Sequence, residues 1–261
     1  MKVRIFASGS SGNCMSLSSG GTHILIDAGI SMRRIESSLR GAGLELKDIS
    51  GVLITHEHSD HISGLKMLIK YYGIPVYAPH TVANRLRGML PDIDSCLNII
   101  SVGEPFGLGS LLVRAFHTPH DTDESVGYRV EGGGCFAMAT DMGHVTEEVL
   151  EALTGADTVL IEANHDVDML SYGAYPVYLK RRILSNRGHL SNENCAKLAL
   201  YLCQHGTRQI VLGHLSKENN RPELALSAVR TQLSGLPVEL HCAPALGELT
   251  IAVREAVPCF R

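Results

Sequence analysis

The sequence lacks the features of several protein classes. No apolar run approaches the roughly 20 residues that a membrane-spanning helix needs, so no membrane partner is expected. The first residues show no charged segment followed by a long apolar stretch, so we expect no secretory signal. The 7 cysteines are odd in number and include no Cys-x-x-Cys pair, which argues against a disulfide framework. We therefore predict a protein of the reducing cytoplasm.

An excess of positive charge is also missing. The formal net charge is −4, so the whole molecule does not attract nucleic acid, and any such binding would need a local basic patch. What is present is a hydrophobic content of 44% in 261 residues, enough for a sizeable core. No linker, repeat or low-complexity tract divides the chain, so we predict one domain over residues 1–261.

The apolar pattern predicts strands and helices that alternate in two successive halves. The segments Lys2–Ser8 and Gly51–Thr55 are typical of strands. Helices are predicted over Ser31–Arg40, His61–Tyr72 and Asn192–His205. Because strands lead each half and helices follow, the pattern indicates an α/β fold with two sheets face to face and helices outside.

The densest group of candidate metal ligands is the stretch "THEHSDH", which directly follows a predicted buried strand. It contains His56, His58, Asp60 and His61, and imidazole nitrogen and carboxylate oxygen are ligands of zinc and similar metals. Alternate residues of an extended segment point the same way, so His56 and His58 can share one ion. Asp60 and His61 can then reach a second ion, and we predict two divalent metal ions.

Three more candidate ligands stand at the ends of predicted strands. They are His120 in "HTPHDTDESVGY", Asp141 in "FAMATDMG" and His214 in "IVLGHLS". Strand ends are where a rigid scaffold holds loop-borne ligands, and a carboxylate such as Asp141 can bridge two cations. His117 competes with His120 for the same role on this evidence.

Together these motifs resemble the metallo-β-lactamase-fold hydrolases. The series His-x-His-x-Asp-His, Thr-Pro-x-His, Thr-Asp-x-Gly and a strand-terminal His follows that family's order. The resemblance implies a four-layer αββα sandwich of two mixed sheets, with the metals at one edge. It selects His120 over His117, and it implies that Asp27 orients the metal loop without binding metal. It implies one ion on His56, His58, His120 and Asp141, and another on Asp60, His61, Asp141 and His214.

Two later stretches resemble elements of transfer-RNA 3′-processing endonucleases. In "LIEANHD" and "GHLSNENCAKLA", the resemblance implies that Glu162 holds His189 and that His189 protonates the leaving oxygen. A carboxylate raises the pKa of an imidazole, so a proton would be available near neutral pH. Asp60 is expected to orient the attacking water. The alternatives are a structural His189 beside Ser191, the cap of the next helix, and a buried structural Glu162.

The stretch "SGSSGNC", with "GHLSNE" and "LGHLSKENN", is most similar to the bacterial WalJ/VicX/YycJ group of metal-dependent exonucleases. The resemblance implies 5′→3′ hydrolysis of double-stranded DNA by a hydroxide that two metal ions activate. Zinc is the expected metal, with manganese or iron(II) as alternatives. The alternative functions are an RNA-processing nuclease, a small-molecule hydrolase (thioesterase, lactonase or cyclic phosphodiesterase) and a silent nucleic-acid-binding scaffold. Oligomeric state stays open, with a homodimer among the alternatives.

Two further segments are candidates for substrate contact. The basic stretch "LKRRILSNRGH" carries Lys180, Arg181, Arg182 and Arg187 just before His189, and could bind phosphates or form a solvated face. The loop "SGSSGN" leads into a strand and lacks the Gly-Lys-Ser/Thr ending of a nucleotide-binding loop. We expect a hairpin turn there, in which Ser10, Ser11 and Asn13 could also donate hydrogen bonds to substrate.

Overall fold

Two mixed β-sheets of seven strands each lie face to face at the centre of the computed structural model, which describes residues 1–253. The strands are β1 (Lys2–Ala7), β2 (Cys14–Ser19), β3 (Thr22–Ile26), β4 (Ile49–Leu53), β5 (Val76–Pro79), β6 (Leu97–Ile100), β7 (Pro105–Leu108), β8 (Leu111–His117), β9 (Val126–Glu131), β10 (Cys135–Ala139), β11 (Thr158–Glu162), β12 (Gln209–Gly213), β13 (Glu239–Cys242) and β14 (Leu249–Ala252).

Helices cover the outer faces of both sheets. They are α1 (Met32–Gly41), α2 (Ser59–Ile62), α3 (Leu65–Tyr72), α4 (His80–Met89), α5 (Glu147–Leu153), α6 (Val167–Tyr172), α7 (Val177–Ile183), α8 (Asn192–Gln204) and α9 (Pro222–Gln232). Two short 3₁₀ turns cover Leu46–Asp48 and Ile93–Ser95. Within residues 1–253, every helix is too short or too polar to cross a lipid bilayer.

The two sheets have similar topologies. The first has the order β14-β1-β2-β3-β4-β5-β6 and the second β13-β12-β11-β10-β9-β8-β7. In each sheet an antiparallel part passes into a parallel part, which begins at the β3–β4 pair in the first sheet and at β10–β11 in the second. Since parallel strands end at the same edge of a sheet, the loops after β3, β4, β10, β11 and β12 can converge there.

The core consists of three apolar layers. The inner layer lies between the sheets and includes Ile26, Tyr128 and Met138. The Tyr128 hydroxyl donates a hydrogen bond of 2.6 Å to the carbonyl of Ile54, so it links the sheets with its polar group satisfied. The outer layers pack one sheet under α1, α3 and α4, and the other under α5, α8 and α9. The predicted four-layer αββα sandwich is therefore confirmed.

The structure differs from the sequence predictions in local details. The helix predicted over His61–Tyr72 is two helices, α2 and α3, with a break at Gly64, where a Cβ atom would lie 2.2 Å from the Ile30 carbonyl oxygen. Strand β7 was not predicted, because its sequence "PFGL" contains proline and glycine, which strands disfavour. Residues 254–261 of the predicted single domain lie outside the described residues.

Candidate active site

Three polar side chains of the site are carried on left-handed backbone. Within residues 1–253, Asp27, Asp141 and His214 alone among the non-glycine residues have positive φ angles, of 58°, 57° and 54°. They follow the ends of β3, β10 and β12. This conformation costs on the order of 1–3 kcal/mol per residue and persists where the surrounding structure enforces it, commonly at functional sites. The turns end the strands and place these three side chains at the shared sheet edge.

The first ligand cluster consists of His56, His58 and His120. The Nε2 atom of His56 lies 3.0 Å from Nδ1 of His58. Each of the three residues offers one ring nitrogen, and these three nitrogens lie within 4.8 Å of one another. Burial, followed by repulsion from the neighbouring histidines, lowers the pKa of His56 well below its usual value. The neutral imidazole that results is the form that binds metal.

The second cluster consists of Asp60, His61 and His214. Oδ2 of Asp60 lies 3.5 Å from Nε2 of His61 and 3.7 Å from Nε2 of His214. Burial alone would raise the pKa of Asp60, but the imidazoles of His214 and His61 beside it hold that pKa far below its usual value. Asp60 is therefore a carboxylate at all ordinary pH values, as a metal ligand or water acceptor must be.

Asp141 lies between the two clusters. Its Oδ2 atom is 3.4 Å from His61 Nε2, and its Oδ1 atom is 3.7 Å from His120 Nε2. Oδ1 also lies 3.5 Å from Nδ1 of His214, a member of the second cluster, so Asp141 contacts both clusters, as a carboxylate that bridges two cations would. The structure brings together all seven residues predicted as metal ligands, His56, His58, Asp60, His61, His120, Asp141 and His214.

The unpaired atoms of this site fit divalent cations. Oδ2 of Asp141 and Nε2 of His214 are buried and have no hydrogen-bond partner among the described residues. An orphaned buried polar atom is costly, so such atoms usually have an ion or water beside them. Imidazole nitrogens and carboxylate oxygens at these spacings are the donor set of zinc, manganese and iron(II).

Two buried carboxylates each contact the Nδ1 atom of a candidate ligand histidine, the ring nitrogen that is not expected to bind metal. Asp27 Oδ2 lies 2.7 Å from Nδ1 of His61, and Glu162 Oε1 lies 2.8 Å from Nδ1 of His214. A proton on Nδ1 in these contacts leaves the Nε2 lone pair free to face a metal. Asp27 also accepts a 2.9 Å hydrogen bond from the Thr55 amide, so it contacts the metal loop that the family resemblance expects it to orient.

Glu162 holds a second histidine with the same oxygen. Its Oε1 atom lies 2.8 Å from Nδ1 of His189, and its Oε2 atom accepts hydrogen bonds of 3.0 Å from the amides of Met142 and Leu190. Burial would lower the pKa of His189, but the Glu162 carboxylate beside it raises that pKa above its usual value. His189 lies 3.8 Å from Asp141 and its side chain is 23% exposed, so a protonated imidazole faces the open side of the site.

Of the three residues in the first turn that are predicted to contact substrate, Asn13 instead supports the candidate metal ligands. Asn13 is 6% exposed, and its Nδ2 atom lies 3.1 Å from Nε2 of His61 and 3.4 Å from Oδ2 of Asp60. Its Oδ1 atom accepts from the Gly9 amide at 2.9 Å, so Asn13 connects the first turn to the metal loop. A buried amide engaged in this way has little capacity left for substrate. Ser10 and Ser11 remain exposed, and line a groove with Lys217.

The four basic residues before His189 have different environments. Arg187 Nε donates a 2.6 Å hydrogen bond to the carbonyl of His120, so it positions a ligand loop. Arg182 pairs with the Asp121 carboxylate, and Lys180 donates to the Ser171 carbonyl at 2.8 Å. Arg181 is exposed and takes no part in the contacts just described. The alternative ligand His117 lies apart from both clusters, 3.2 Å from Glu148.

Some supporting residues were missed by the sequence analysis. The Thr55 hydroxyl lies 3.1 Å from Nδ1 of His56 and from Nδ1 of His61, and Ser8 Oγ accepts a 2.8 Å hydrogen bond from the His214 amide. Gly29 packs against the metal loop so closely that a Cβ atom would lie 1.6 Å from the Asp60 carbonyl oxygen. Thr55 and Ser8 are the first residues of the stretches "THEHSDH" and "SGSSGNC". Only their contacts in the structure show that they support the candidate ligands.

The sequence and the fold resemble those of known proteins. A family model described as a beta-lactamase superfamily domain matches residues 22–215. The chain is 38% identical to the exodeoxyribonuclease YycJ of Bacillus anthracis, over 86% of each protein. It is 39% identical to the exodeoxyribonuclease WalJ of Streptococcus pneumoniae serotype 2, over 89% of this chain and 88% of that one. The metallo-β-lactamase fold protein YhfI of Bacillus subtilis shares the fold, with a TM-score of 0.74 at 17% identity over 96% of this chain and 99% of that chain.

Proposed function

The chain belongs to the beta-lactamase superfamily, in the group that includes YycJ and WalJ, and on that premise we propose that it is a DNA exonuclease. The sequence-based prediction of this superfamily and group is confirmed, and the chain is a metal-dependent hydrolase. The proposal extends this to 5′→3′ hydrolysis of phosphodiester bonds in double-stranded DNA. The observation that carries it is the Glu162–His189 pair beside the ligand clusters, because an alkoxide leaving group, as in a nucleic acid, needs a proton.

The residues of the site have distinct proposed roles. Divalent cations would be held by the two histidine clusters, with Asp141 between them. Bound there, they would lower the pKa of the attacking water and neutralise charge on the phosphoryl oxygens. The Asp60 carboxylate accepts a hydrogen bond from that water and orients it toward phosphorus. His189 has Nδ1 engaged with Glu162, so its Nε2 atom delivers the proton to the departing sugar oxygen.

We propose zinc as the metal, with manganese and iron(II) as the alternatives. The histidine-rich donor set with carboxylates suits all three ions, and zinc accepts it without a strong geometric preference.

We also propose a cytoplasmic location. The six cysteines within residues 1–253 are free thiols, which is typical of a reducing compartment.

A substrate panel tests the proposed function. The metal-loaded protein is incubated with duplex DNA, single-stranded DNA, RNA and a nitrophenyl phosphodiester, with DNA labelled at either end. We expect mononucleotides released from the 5′ end of DNA at a rate well above that on RNA. Faster cleavage of RNA would favour the alternative of a transfer-RNA-type nuclease, and hydrolysis of the small ester alone would favour a small-molecule hydrolase. Inertness toward all four substrates would contradict the enzyme assignment.

Arg181 gives a prediction for phosphate contact. Because Arg181 is exposed beside α7's other basic residues, we expect Arg181→Ala to weaken DNA binding. The slope of log K against log salt concentration should fall by about one, as for each lost phosphate contact. Arg40→Ala is the matched control, since Arg40 is an exposed arginine at the end of α1. An unchanged slope in Arg181→Ala would leave Arg181 as part of a solvated face.

A further inference from the structure

The end of α6 and the start of α7 expose two aromatic rings. Tyr172 is 88% exposed and Tyr178 is 74% exposed, and Val177 between them is also exposed. Large apolar side chains are rarely left so exposed in a cluster unless the surface binds something. We call Tyr172, Val177, Tyr178 and Arg181 the tyrosine platform.

The charge of this surface restricts the kind of partner. Lys180, Arg181 and Arg182 follow Tyr178 after Leu179, in a chain of formal net charge −4. A second copy of the chain docked symmetrically on this surface would bring the same basic residues together, which is unfavourable. A polyanion with flat aromatic groups complements both properties, since nucleic-acid bases stack on tyrosine rings while phosphates contact basic side chains.

The platform is directly connected to the candidate active site. The carbonyl of Ile183, the last residue of α7, accepts a 2.9 Å hydrogen bond from the amide of His189. Arg182 on the same helix pairs with Asp121, the neighbour of His120. The six residues from Tyr178 to Ile183 span roughly 8 Å of helix, comparable to about two base steps. A strand with its phosphate at the metal clusters can therefore reach the platform within a few nucleotides.

We propose that the tyrosine platform binds unpaired bases at the end of the strand being hydrolysed. Base faces within a duplex are covered by their neighbours, so only unpaired or terminal bases can stack on Tyr172 and Tyr178. This inference rests on the proposed nuclease function, and adds to it a preference for DNA ends with unpaired nucleotides over blunt ends.

Binding of fluorescent oligonucleotides tests the platform. Duplexes carry either a blunt end or two unpaired 5′ nucleotides containing 2-aminopurine, with phosphorothioate linkages that slow hydrolysis. We expect the metal-loaded wild-type protein to bind the unpaired end more tightly and to quench its fluorescence, because stacking quenches 2-aminopurine. Tyr172→Ala with Tyr178→Ala should raise the Kd for this end by at least about fivefold for each ring that stacks, and remove the quenching. The Kd for the blunt duplex should rise less.

Two comparisons make this test specific. Tyr71→Ala is the matched control, because Tyr71 is 59% exposed beside Lys70 on α3, which leads away from the metal loop. Replacement of both platform tyrosines by phenylalanine should preserve stacking, so retained binding there supports a role for the ring faces. Equal affinity of the alanine variant and wild type for the unpaired end would overturn the platform, even if wild type hydrolyses DNA. A dimeric wild type that becomes monomeric in the alanine variant would overturn it in favour of a subunit contact.

The outcomes also separate the platform from the proposed function. If the wild-type protein hydrolyses no nucleic acid in the substrate panel, the proposed function fails and the platform fails with it. If it hydrolyses DNA with no preference for unpaired ends, only the platform is overturned.

Discussion

Asp141→Asn should abolish phosphodiester hydrolysis while leaving the fold intact. The substitution removes the negative charge that lies between the two histidine clusters, where Asp141 contacts residues of both. Metal-ion stabilisation of a transition state is worth several kcal/mol, so we expect a loss of about 1,000-fold or more in kcat/KM. Metal analysis should show fewer than the expected two ions per chain.

Asparagine is a better test than alanine at this position. The backbone of Asp141 has φ of 57°, and asparagine adopts left-handed backbone more readily than other non-glycine residues. Asp141→Ala would add backbone strain to the loss of charge, so a drop in its thermal stability would not bear on metal binding. Asp123→Asn is the control, since Asp123 is an exposed acid that pairs with Arg85. Full activity of Asp141→Asn would contradict the dinuclear site.

The ligands could be predicted from sequence because each lies in a short motif after an apolar run. His56, His58, Asp60 and His61 are within six positions, and the local pattern places them at a strand end. Asp141 and His214 follow β10 and β12, whose parallel arrangement with β11 brings their ends to one edge. His120 follows β8, which runs in the same direction as β10 because both are antiparallel to β9. Local patterns therefore located the candidate ligands, whereas the four-layer order and the choice of His120 over His117 came from the family resemblance.

The supporting contacts could not be predicted in the same way. Asn13 reaches Asp60 and His61 across 47 and 48 positions of sequence, and Arg187 reaches His120 across 67. No periodicity or spacing encodes such contacts, because they depend on how separate loops pack at the sheet edge. The sequence shows none of these long-range contacts. It shows only that Asn13 lies in a polar loop and Arg187 in a basic run, and both features suggest substrate binding. The left-handed backbone at Asp141 is equally invisible, because aspartate is enriched in this conformation but adopts other conformations far more often.

His189→Ala should reduce the rate of DNA hydrolysis without removing the metal. Loss of a general acid costs typically 10²–10⁴-fold, and we expect a fall in kcat within about that range. His189 is held by Glu162 and lies outside the two predicted ligand sets, so metal content should stay near that of wild type. A nitrophenyl phosphodiester needs no proton on its leaving group, so its hydrolysis should fall much less than that of DNA. Equal loss on both substrates, together with loss of metal, would make His189 a structural residue.

Glu162→Gln should lose both rate and metal, because Glu162 holds a ligand and the proton donor with one oxygen. Its Oε1 atom is 2.8 Å from Nδ1 of His214 and 2.8 Å from Nδ1 of His189. Loss of a carboxylate behind a metal-binding histidine typically weakens metal affinity about 10–100-fold. The carboxylate also raises the pKa of His189, so its removal should lower that pKa. A general acid works in its protonated form, and activity at saturating metal should therefore decline at a lower pH in Glu162→Gln than in wild type. An unshifted alkaline limit would mean that another group supplies the proton, and that Glu162 serves only to orient His214.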